Sequence, residues 1–234
     1  MAKGKGRSQT RQESKTVQTS NGHSQQQLPQ IDARPKGYAP HQQLELETLI
    51  EDYVWIIPNF FTKRECQQWM AYADPLMELT AHRATRYMAH RECFRYSVNS
   101  NEVAQQIFER LQSMCPESIH LLQSKAIGCN PNIRLYKYEK HMSFGKHIDE
   151  SNSVSGGMTR FTILIYLSDC EGGATRFEPP LMGSNRKGKA SVAFPPTVGS
   201  LLLHLHGDDC LTHEADPVMG GVKYVLRTDL VCPY

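Results

Sequence analysis

The sequence predicts an α+β fold in which two N-terminal helices support an antiparallel jelly roll or sandwich. Two observations point to this class. Apolar stripes with helical spacing lie between residues 62 and 115, whereas short strand-like segments separated by Gly, Pro, Asn and Asp follow residue 131. With 234 residues, of which 39% are hydrophobic, the chain is long enough to bury a core without disulfide bonds.

Capping signals predict where the two helices begin. The first follows a strand over 53–57 and opens at a capping box formed by Thr62 and Glu65. The second begins at Ser100 or Asn101 and ends before Pro116. We expect the apolar stripe of each helix to pack on the sheet rather than to bind a cofactor. The stripes are Cys66, Trp69, Met70 and Ala73 in the first helix and Val103, Ile107 and Leu111 in the second.

The C-terminal half predicts five short strands, over 133–138, 160–167, 191–194, 200–205 and 222–231. Closely spaced strands with turn residues between them are typical of a jelly roll rather than of a parallel α/β sheet. The sequence has no glycine-rich phosphate loop and no G-x-S-x-G motif. Nucleotide triphosphatase and α/β-hydrolase functions are therefore excluded.

Charge and composition divide the chain into three parts. Residues 1–40 carry seven Lys or Arg against two acidic residues, so the remaining chain has a net charge of −3. Because the first thirty residues contain few large apolar side chains, we predict that 1–40 form a disordered basic tail. Residues 41–130 are predicted to support the same domain, and 131–234 to form its jelly-roll core.

The sequence also restricts where the protein works. It contains no apolar run of the ~18 residues that a membrane span requires and no secretory signal at its start. Its seven cysteines form no Cys-x-x-Cys pair, which argues against a disulfide framework and a cysteine-type zinc site. We therefore expect an intracellular protein, cytoplasmic or nuclear, without a membrane partner.

A pair of metal-ligand residue types lies in the segment that follows the first core strand. His147 and Asp149 are two residues apart, so on an extended segment both side chains point to the same side and can reach one ion. A histidine from a later strand would complete a two-histidine, one-carboxylate set, which suits non-haem Fe(II) because it leaves coordination positions open. Three later histidines are available, His204, His206 and His213. We expect the first two to be hydrogen-bonded core or cavity-lining residues.

Several motifs together resemble the prolyl 4-hydroxylase-type branch of the Fe(II)/2-oxoglutarate-dependent dioxygenases. They are Tyr138 nine residues before His147, the His147-x-Asp149 pair, the strand-like run 161–169, the turn Glu171-Gly172-Gly173-Ala174-Thr175-Arg176-Phe177, the pair His213-Glu214, and Lys223 ten residues after His213. The resemblance covers residues 55–234. It implies a double-stranded β-helix, with Fe(II) held by His147, Asp149 and His213 and no catalytic residue beyond these ligands.

The resemblance also implies a binding site for 2-oxoglutarate. Lys223 matches the basic residue that pairs with the distal carboxylate of this cosubstrate, Tyr138 and Thr175 match hydroxyl donors, and Tyr166 is a further candidate. Arg227 is the alternative anchor. Positions 223 and 227 share a strand face but lie roughly 13 Å apart, so we expect only one of them beside the metal. We place Lys223 there and Arg227 at the end of the sheet or in an ion pair.

Two positions depart from the family pattern. Ala174 stands where glutamate is common, and Phe144 stands where tyrosine is frequent, which removes a hydroxyl from the cosubstrate pocket. Neither departure affects the three implied metal ligands.

The implied activity is hydroxylation of a C–H bond with O2 and 2-oxoglutarate, with ascorbate as a supporting reductant. A protein side chain such as proline is the expected target, with residues 180–190 as a lid and 81–96 at the opposite rim. Two alternatives remain: a nucleic-acid demethylase of the same fold, and a non-catalytic jelly-roll interaction module. The charge of −3 beyond residue 40 argues against nucleic acid as a partner.

Overall fold

A computed structural model describes residues 27–86, 88–120, 126–180 and 190–234. Three helices lie in these ranges: α1 (Lys63–Ala73), α2 (Asn101–Met114) and α3 (Glu117–His120). The strands are β1 (Glu47–Ile50), β2 (Val54–Ile57), β3 (Glu78–His82), β4 (Arg91–Asn99), β5 (Gly128–Cys129), β6 (Asn132–Tyr138), β7 (Phe144–His147), β8 (Ser153–Val154), β9 (Gly157–Tyr166), β10 (Cys170–Gly172), β11 (Thr175–Phe177), β12 (Val192–Phe194), β13 (Leu201–Leu205), β14 (His213–Ala215), β15 (Val218–Gly221) and β16 (Lys223–Cys232).

The strands pair antiparallel in the order β1-β2-β13-β9-β16-β6-β4-β7-β14-β11-β12, with β3, β5 and β8 attached at the sides and β10-β15 as a separate pair. Neighbours in this sheet are mostly distant in sequence, as a jelly roll requires. The sheet curls into a nearly closed barrel. The α+β class and the double-stranded β-helix predicted from the sequence are therefore confirmed.

Both predicted helix starts are confirmed. The Thr62 hydroxyl accepts a hydrogen bond from the backbone N–H of Glu65, whose carboxylate accepts one from the Thr62 N–H, so the capping box is complete. Ser100 caps α2 through the N–H of Val103. The apolar faces of both helices are buried in the main core cluster together with residues of β9 and β13. The helices therefore support one side of the sheet.

Strands β3 and β4 lie in a region for which the sequence predicted no strand. β3 and β4 come between the two helices and join the main sheet, so the predicted order of helices first and strands afterwards is wrong in this region. The sequence does not readily reveal β4, because two of the side chains on its inward face are the cations Arg91 and Arg95. The apolar alternation that marks a half-buried strand lies on the opposite face of β4, at Phe94, Tyr96 and Val98.

The predicted disordered tail extends too far into the chain. Ile31 is 2% exposed and its N–H donates to Gln106 of α2, while the Asp32 carbonyl accepts from the Nε atom of Arg110 at 2.8 Å. Residues 30–34 therefore contact α2, so this part of the predicted tail is ordered in the structure. Arg110 is itself fully buried and paired with Glu65, which gives this short segment a fixed charged anchor.

Some predicted features lie outside the described residues: residues 1–26 of the tail, Tyr87 of the rim and residues 181–189 of the lid.

All seven cysteines are free, in agreement with the sequence. In the part of the chain that the structure describes, no helix combines the length and the apolar content needed to cross a membrane.

Candidate metal and cosubstrate site

The structure brings His147, Asp149 and His213 together inside the barrel. β7 ends at His147 and pairs antiparallel with β14, where His147 and His213 are direct register partners. Asp149 follows two residues later and turns to the same side. Each of the three residues offers one ligand atom, and these atoms lie within 4.8 Å of one another. His213 and Asp149 are buried, and the His147 side chain is 16% exposed.

Backbone carbonyls orient both imidazoles. Nδ1 of His147 lies 2.9 Å from the Gly145 carbonyl, and Nδ1 of His213 lies 2.9 Å from the Leu211 carbonyl. Because a carbonyl only accepts, each Nδ1 carries the proton and each Nε2 presents its lone pair to the centre. Burial, with a contribution from His213, lowers the pKa of His147 to about 3, and burial lowers the pKa of His213. Both rings are thus neutral, which is the form that binds metals.

Asp149 is held by a cation and a hydroxyl. Its Oδ1 lies 2.9 Å from Nη1 of Arg227, and its Oδ2 accepts from the Thr162 hydroxyl at 2.6 Å. Burial alone would raise the pKa of this carboxyl, but Arg227 and the neighbouring histidines hold the pKa well below its usual value. Arg227 was expected in an ion pair, and it forms one. Its partner, however, is the carboxylate of the predicted triad, so Arg227 rather than Lys223 is the cation at this end of the cavity.

His204 lies close to Asp149, and His206 is linked to Asp149 through Thr162. Nε2 of His206 lies 2.6 Å from the Thr162 hydroxyl, which in turn donates to Asp149. Nε2 of His204 lies 3.4 Å from Oδ2 of Asp149 and has no hydrogen-bond partner among the described residues. Register explains this contact, because His204 pairs directly with Thr162 of β9.

The far end of the cavity is formed by Lys223 at the start of β16. The cavity runs between the three residues above and Lys223, which is 2% exposed. Its Nζ donates to the Gly173 carbonyl at 2.6 Å, and burial lowers the pKa of this amine to about 8. Gly173 has a φ of +63°, and a Cβ there would lie 3.3 Å from Cδ of Lys223. The glycine turn that the sequence singled out is therefore needed to bring this carbonyl close to the amine.

The three predicted hydroxyl residues lie around Lys223, in two different roles. Tyr138 and Thr175 line the cavity, and Tyr138 is the register partner of Lys223 on β6. Tyr166 is fully buried behind them, and its hydroxyl lies 2.7 Å from that of Thr175. Tyr166 thus orients Thr175 rather than lining the cavity.

Sequence reasoning noted Phe144 only as a lost hydroxyl in the pocket, and it did not single out Tyr136 or Thr162. Phe144 stacks on the His147 ring with 3.7 Å between centroids, and Tyr136 lines the same wall. Thr162 alternates with apolar residues along β9, as core threonines commonly do. Only the pairing of β9 with β13 and β16 shows that its hydroxyl faces Asp149.

The sequence of this core region matches a known family. Residues 133–228 match the profile of the 2OG-Fe(II) oxygenase superfamily, and the match includes all three residues of the cluster and Lys223. This part of the chain is therefore similar to 2OG-Fe(II) oxygenases. A comparison with curated protein sequences finds no match.

Solved structures share the fold of this chain. A viral collagen prolyl hydroxylase from Paramecium bursaria Chlorella virus-1, bound to 2-oxoglutarate, superimposes with a TM-score of 0.53 at 14% identity, over 78% of this chain and 97% of that one. A Pseudomonas putida prolyl-4-hydroxylase gives 0.52 at 16% identity, over 76% and 91%. A Trichoplax adhaerens prolyl hydroxylase in complex with a hypoxia inducible factor peptide fragment gives 0.53 at 19% identity, over 77% and 84%. The fold is thus prolyl 4-hydroxylase-like.

Proposed function

We propose that this protein is an Fe(II)- and 2-oxoglutarate-dependent dioxygenase that hydroxylates a C–H bond of a protein side chain, with proline as the leading target. The observation that carries the proposal is the convergence of two neutral imidazoles and one ionised carboxylate, His147, His213 and Asp149, within 4.8 Å. The match to the 2OG-Fe(II) oxygenase superfamily supports it.

The residues present fit Fe(II). Two nitrogen ligands and one oxygen ligand on one side of the ion are the set that non-haem oxygenases use, and they leave the other side open to the cavity. Bound Fe(II) supplies the redox chemistry by which O2 and 2-oxoglutarate yield succinate, CO2 and a hydroxylated product. The protein's own part is to orient the three ligands. The carbonyls of Gly145 and Leu211 fix the imidazoles, and Arg227 and Thr162 fix Asp149.

The far end of the cavity fits the distal carboxylate of 2-oxoglutarate. Lys223 is a buried cation that has no ion pair in the described ranges, and a buried charge is costly until an opposite charge meets it. In the proposed complex its amine pairs with that carboxylate, while Tyr138 and Thr175 donate hydroxyl hydrogen bonds. Arg227 is not the anchor in this proposal, because Asp149 and Asp229 already engage it.

The substrate class is an inference from resemblance. All three similar structures are named as prolyl hydroxylases and one of them holds a peptide fragment, and we propose that this chain likewise acts on a peptide segment. Ascorbate belongs to the proposal as a reductant that maintains Fe(II), and the intracellular, cytoplasmic or nuclear, location remains an expectation from the cysteine content.

The test is iron-dependent turnover. Purified protein with Fe(II), ascorbate, 2-oxoglutarate and a pool of proline-containing peptides should form succinate and add one oxygen atom to a peptide, as measured by mass spectrometry. Asp149→Ala should abolish both products, while Asp208→Ala, which changes an exposed carboxylate, should not. Undiminished turnover by Asp149→Ala would contradict the ligand assignment. Absence of succinate under all conditions would leave the non-catalytic module as the better description.

A further inference from the structure

Five cationic side chains share the inward face of the neighbouring strands β4, β6 and β16. Residues paired directly across antiparallel strands point to the same side of the sheet, and alternate residues of one strand do so as well. The register pairs Arg95 with Tyr136 and Arg227 with Arg134, and Tyr136 and Arg227 line the cavity. The five cations are Arg91, Arg95, Arg134, Lys223 and Arg227.

Three of these cations have an assigned anion. Arg134 pairs with Asp229 at 2.5 Å and Arg227 with Asp149 at 2.9 Å, whereas the proposed function gives Lys223 the cosubstrate carboxylate. Arg91 and Arg95 remain. Within the described part of the chain they form no ion pair, and the Nε atoms of both are buried without a hydrogen-bond acceptor.

Aromatic rings hold these two arginines beside the cavity. The guanidinium of Arg91 lies 3.8 Å from the Phe144 ring centroid, and the His147 ring stacks on Phe144 at 3.7 Å. Two flat groups at such distances cannot occupy the same face, so Phe144 lies between Arg91 and the candidate metal ligand. Arg91 and Arg95 also lie 5.9 and 5.8 Å from the Tyr136 centroid, so both flank one ring of the cavity wall.

We propose that Arg91 and Arg95 bind an acidic side chain of the peptide substrate, close in sequence to the hydroxylated residue. This inference rests on the proposed function. It adds which residues flank the target in the peptide, a point that the proposed function leaves open. One stacked ring separates Arg91 from His147, so the acidic residue lies within about three positions of the target, since extended residues advance by about 3.3 Å each.

The chemistry favours a carboxylate. Stacking on aromatic faces compensates a guanidinium only partly for the loss of its water. A carboxylate supplies the remaining stabilisation, because its two oxygens accept a pair of hydrogen bonds from the guanidinium N–H groups. A nucleic acid would require several phosphate contacts along an extended cationic surface. On this face, among the described residues, only Arg91 and Arg95 lack an assigned anion, and the chain beyond residue 40 carries a net charge of −3.

The experiment compares proline peptides that differ only in one residue, Asp or Glu against Asn or Gln, placed at each of the three positions before and after the proline. Hydroxylated peptide is quantified by mass spectrometry, and kcat and KM are determined separately. We expect the acidic peptide of the best register to have a kcat/KM at least about 10-fold above its amide counterpart, mainly through KM, as for a contact that is kept throughout the reaction.

Variants then assign the preference to the arginines. Arg91→Gln and Arg95→Gln should each raise KM for the acidic peptide about 10-fold, the usual loss for one charge-assisted hydrogen bond, and leave the amide peptide unchanged. Arg95→Glu should favour a peptide with Lys at the same position. Arg160→Gln is the control, because Arg160 is exposed on β9. Unchanged 2-oxoglutarate affinity in each variant verifies an intact cavity.

The outcomes separate this inference from the proposed function. Hydroxylation of acidic and amide peptides at equal kcat/KM, or an acidic preference that survives both Gln variants, overturns the inference and leaves the hydroxylase intact. Failure to hydroxylate any peptide while succinate still forms contradicts the proposed substrate class instead. Salt-sensitive modification of an oligonucleotide in the same assay overturns both.

Discussion

Nη1 of Arg227 lies 2.9 Å from Oδ1 of Asp149, and the same guanidinium approaches Asp229. The metal-ligand carboxylate of the proposed site is therefore half of a buried ion pair before any metal binds. The metal and the guanidinium consequently stabilise the same negative charge from different sides.

We first predict that Arg227→Met destabilises the metal-free protein by about 3–5 kcal/mol, because a buried carboxylate loses its partner. Mn(II) should recover part of this loss, since the ion supplies the missing positive charge. Urea denaturation with and without Mn(II) measures both effects. Arg160→Met, at an exposed arginine, is the matched control. An equal loss in the presence and absence of Mn(II) would contradict the shared role.

The second prediction concerns the hydroxyl behind Asp149. Thr162→Val removes the donor to Oδ2 and disconnects His206, so Arg227 alone holds the carboxylate and its orientation is less fixed. Loss of such an outer contact typically weakens metal binding about 10- to 100-fold. Titration with Mn(II) measures the affinity. Thr228→Val is a fair comparison, because it removes a buried hydroxyl that donates to the Asn130 carbonyl, and it should leave the affinity unchanged.

The third prediction is the pH dependence of 2-oxoglutarate binding. Burial lowers the pKa of Lys223 from 10.5 to about 8. Below pH 8 the charged amine therefore destabilises the folded protein without ligand, and this cost is lost as the pH rises from 8 to 10.5. Binding a carboxylate needs the charged amine. The affinity should therefore be constant below pH 8 and fall about tenfold for each unit above it.

Calorimetry on the Mn(II)-loaded protein between pH 7 and 10 measures this profile. Lys223→Met should bind 2-oxoglutarate weakly at every pH in that range and without the decline. If wild type and variant show parallel profiles, another group causes the titration and Lys223 is not the anchor.

The fourth prediction concerns the anchor of residues 27–40. Arg110→Met removes contacts to Glu65 and to the carbonyls of Asp32 and Phe60, all from a fully buried guanidinium. We expect a loss of about 3–5 kcal/mol in the free energy of unfolding, because Glu65 keeps a buried charge. Lys146→Met, which breaks an exposed pair with Glu178, should give no measurable change in chemical denaturation. Similar effects of the two variants would contradict the anchoring role.

The sequence predicted the elements whose signals are local. The Thr62–Glu65 capping box and the Ser100 cap needed only neighbouring residues, and the side-by-side placement of His147 and Asp149 followed from strand periodicity. The fold class came from strand spacing and from the resemblance, which named His213 among three candidate histidines. The roles of Lys223, Tyr138 and Thr175 remain proposals.

What the sequence could not supply depends on pairing across the sheet. The distances from Arg227 and His204 to Asp149 arise from the register of β16, β9 and β13, which no local pattern encodes. β4 was missed for a related reason. Its inward cations are covered by Phe144 and Tyr136, so their burial depends on residues from other strands. Likewise, only the fold brings Arg110 to the Asp32 carbonyl.

Lys223 and Arg227 lie on one continuous strand, β16, so the rise per residue of that strand sets the distance between the two ends of the cavity. β16 is hydrogen-bonded on both sides, to β6 and to β9, and a slip of one residue would turn both cations outward at once. In the proposed complex, the spacing of these two cations along β16 therefore sets the length of the dicarboxylic acid that fits between Lys223 and the metal ligands.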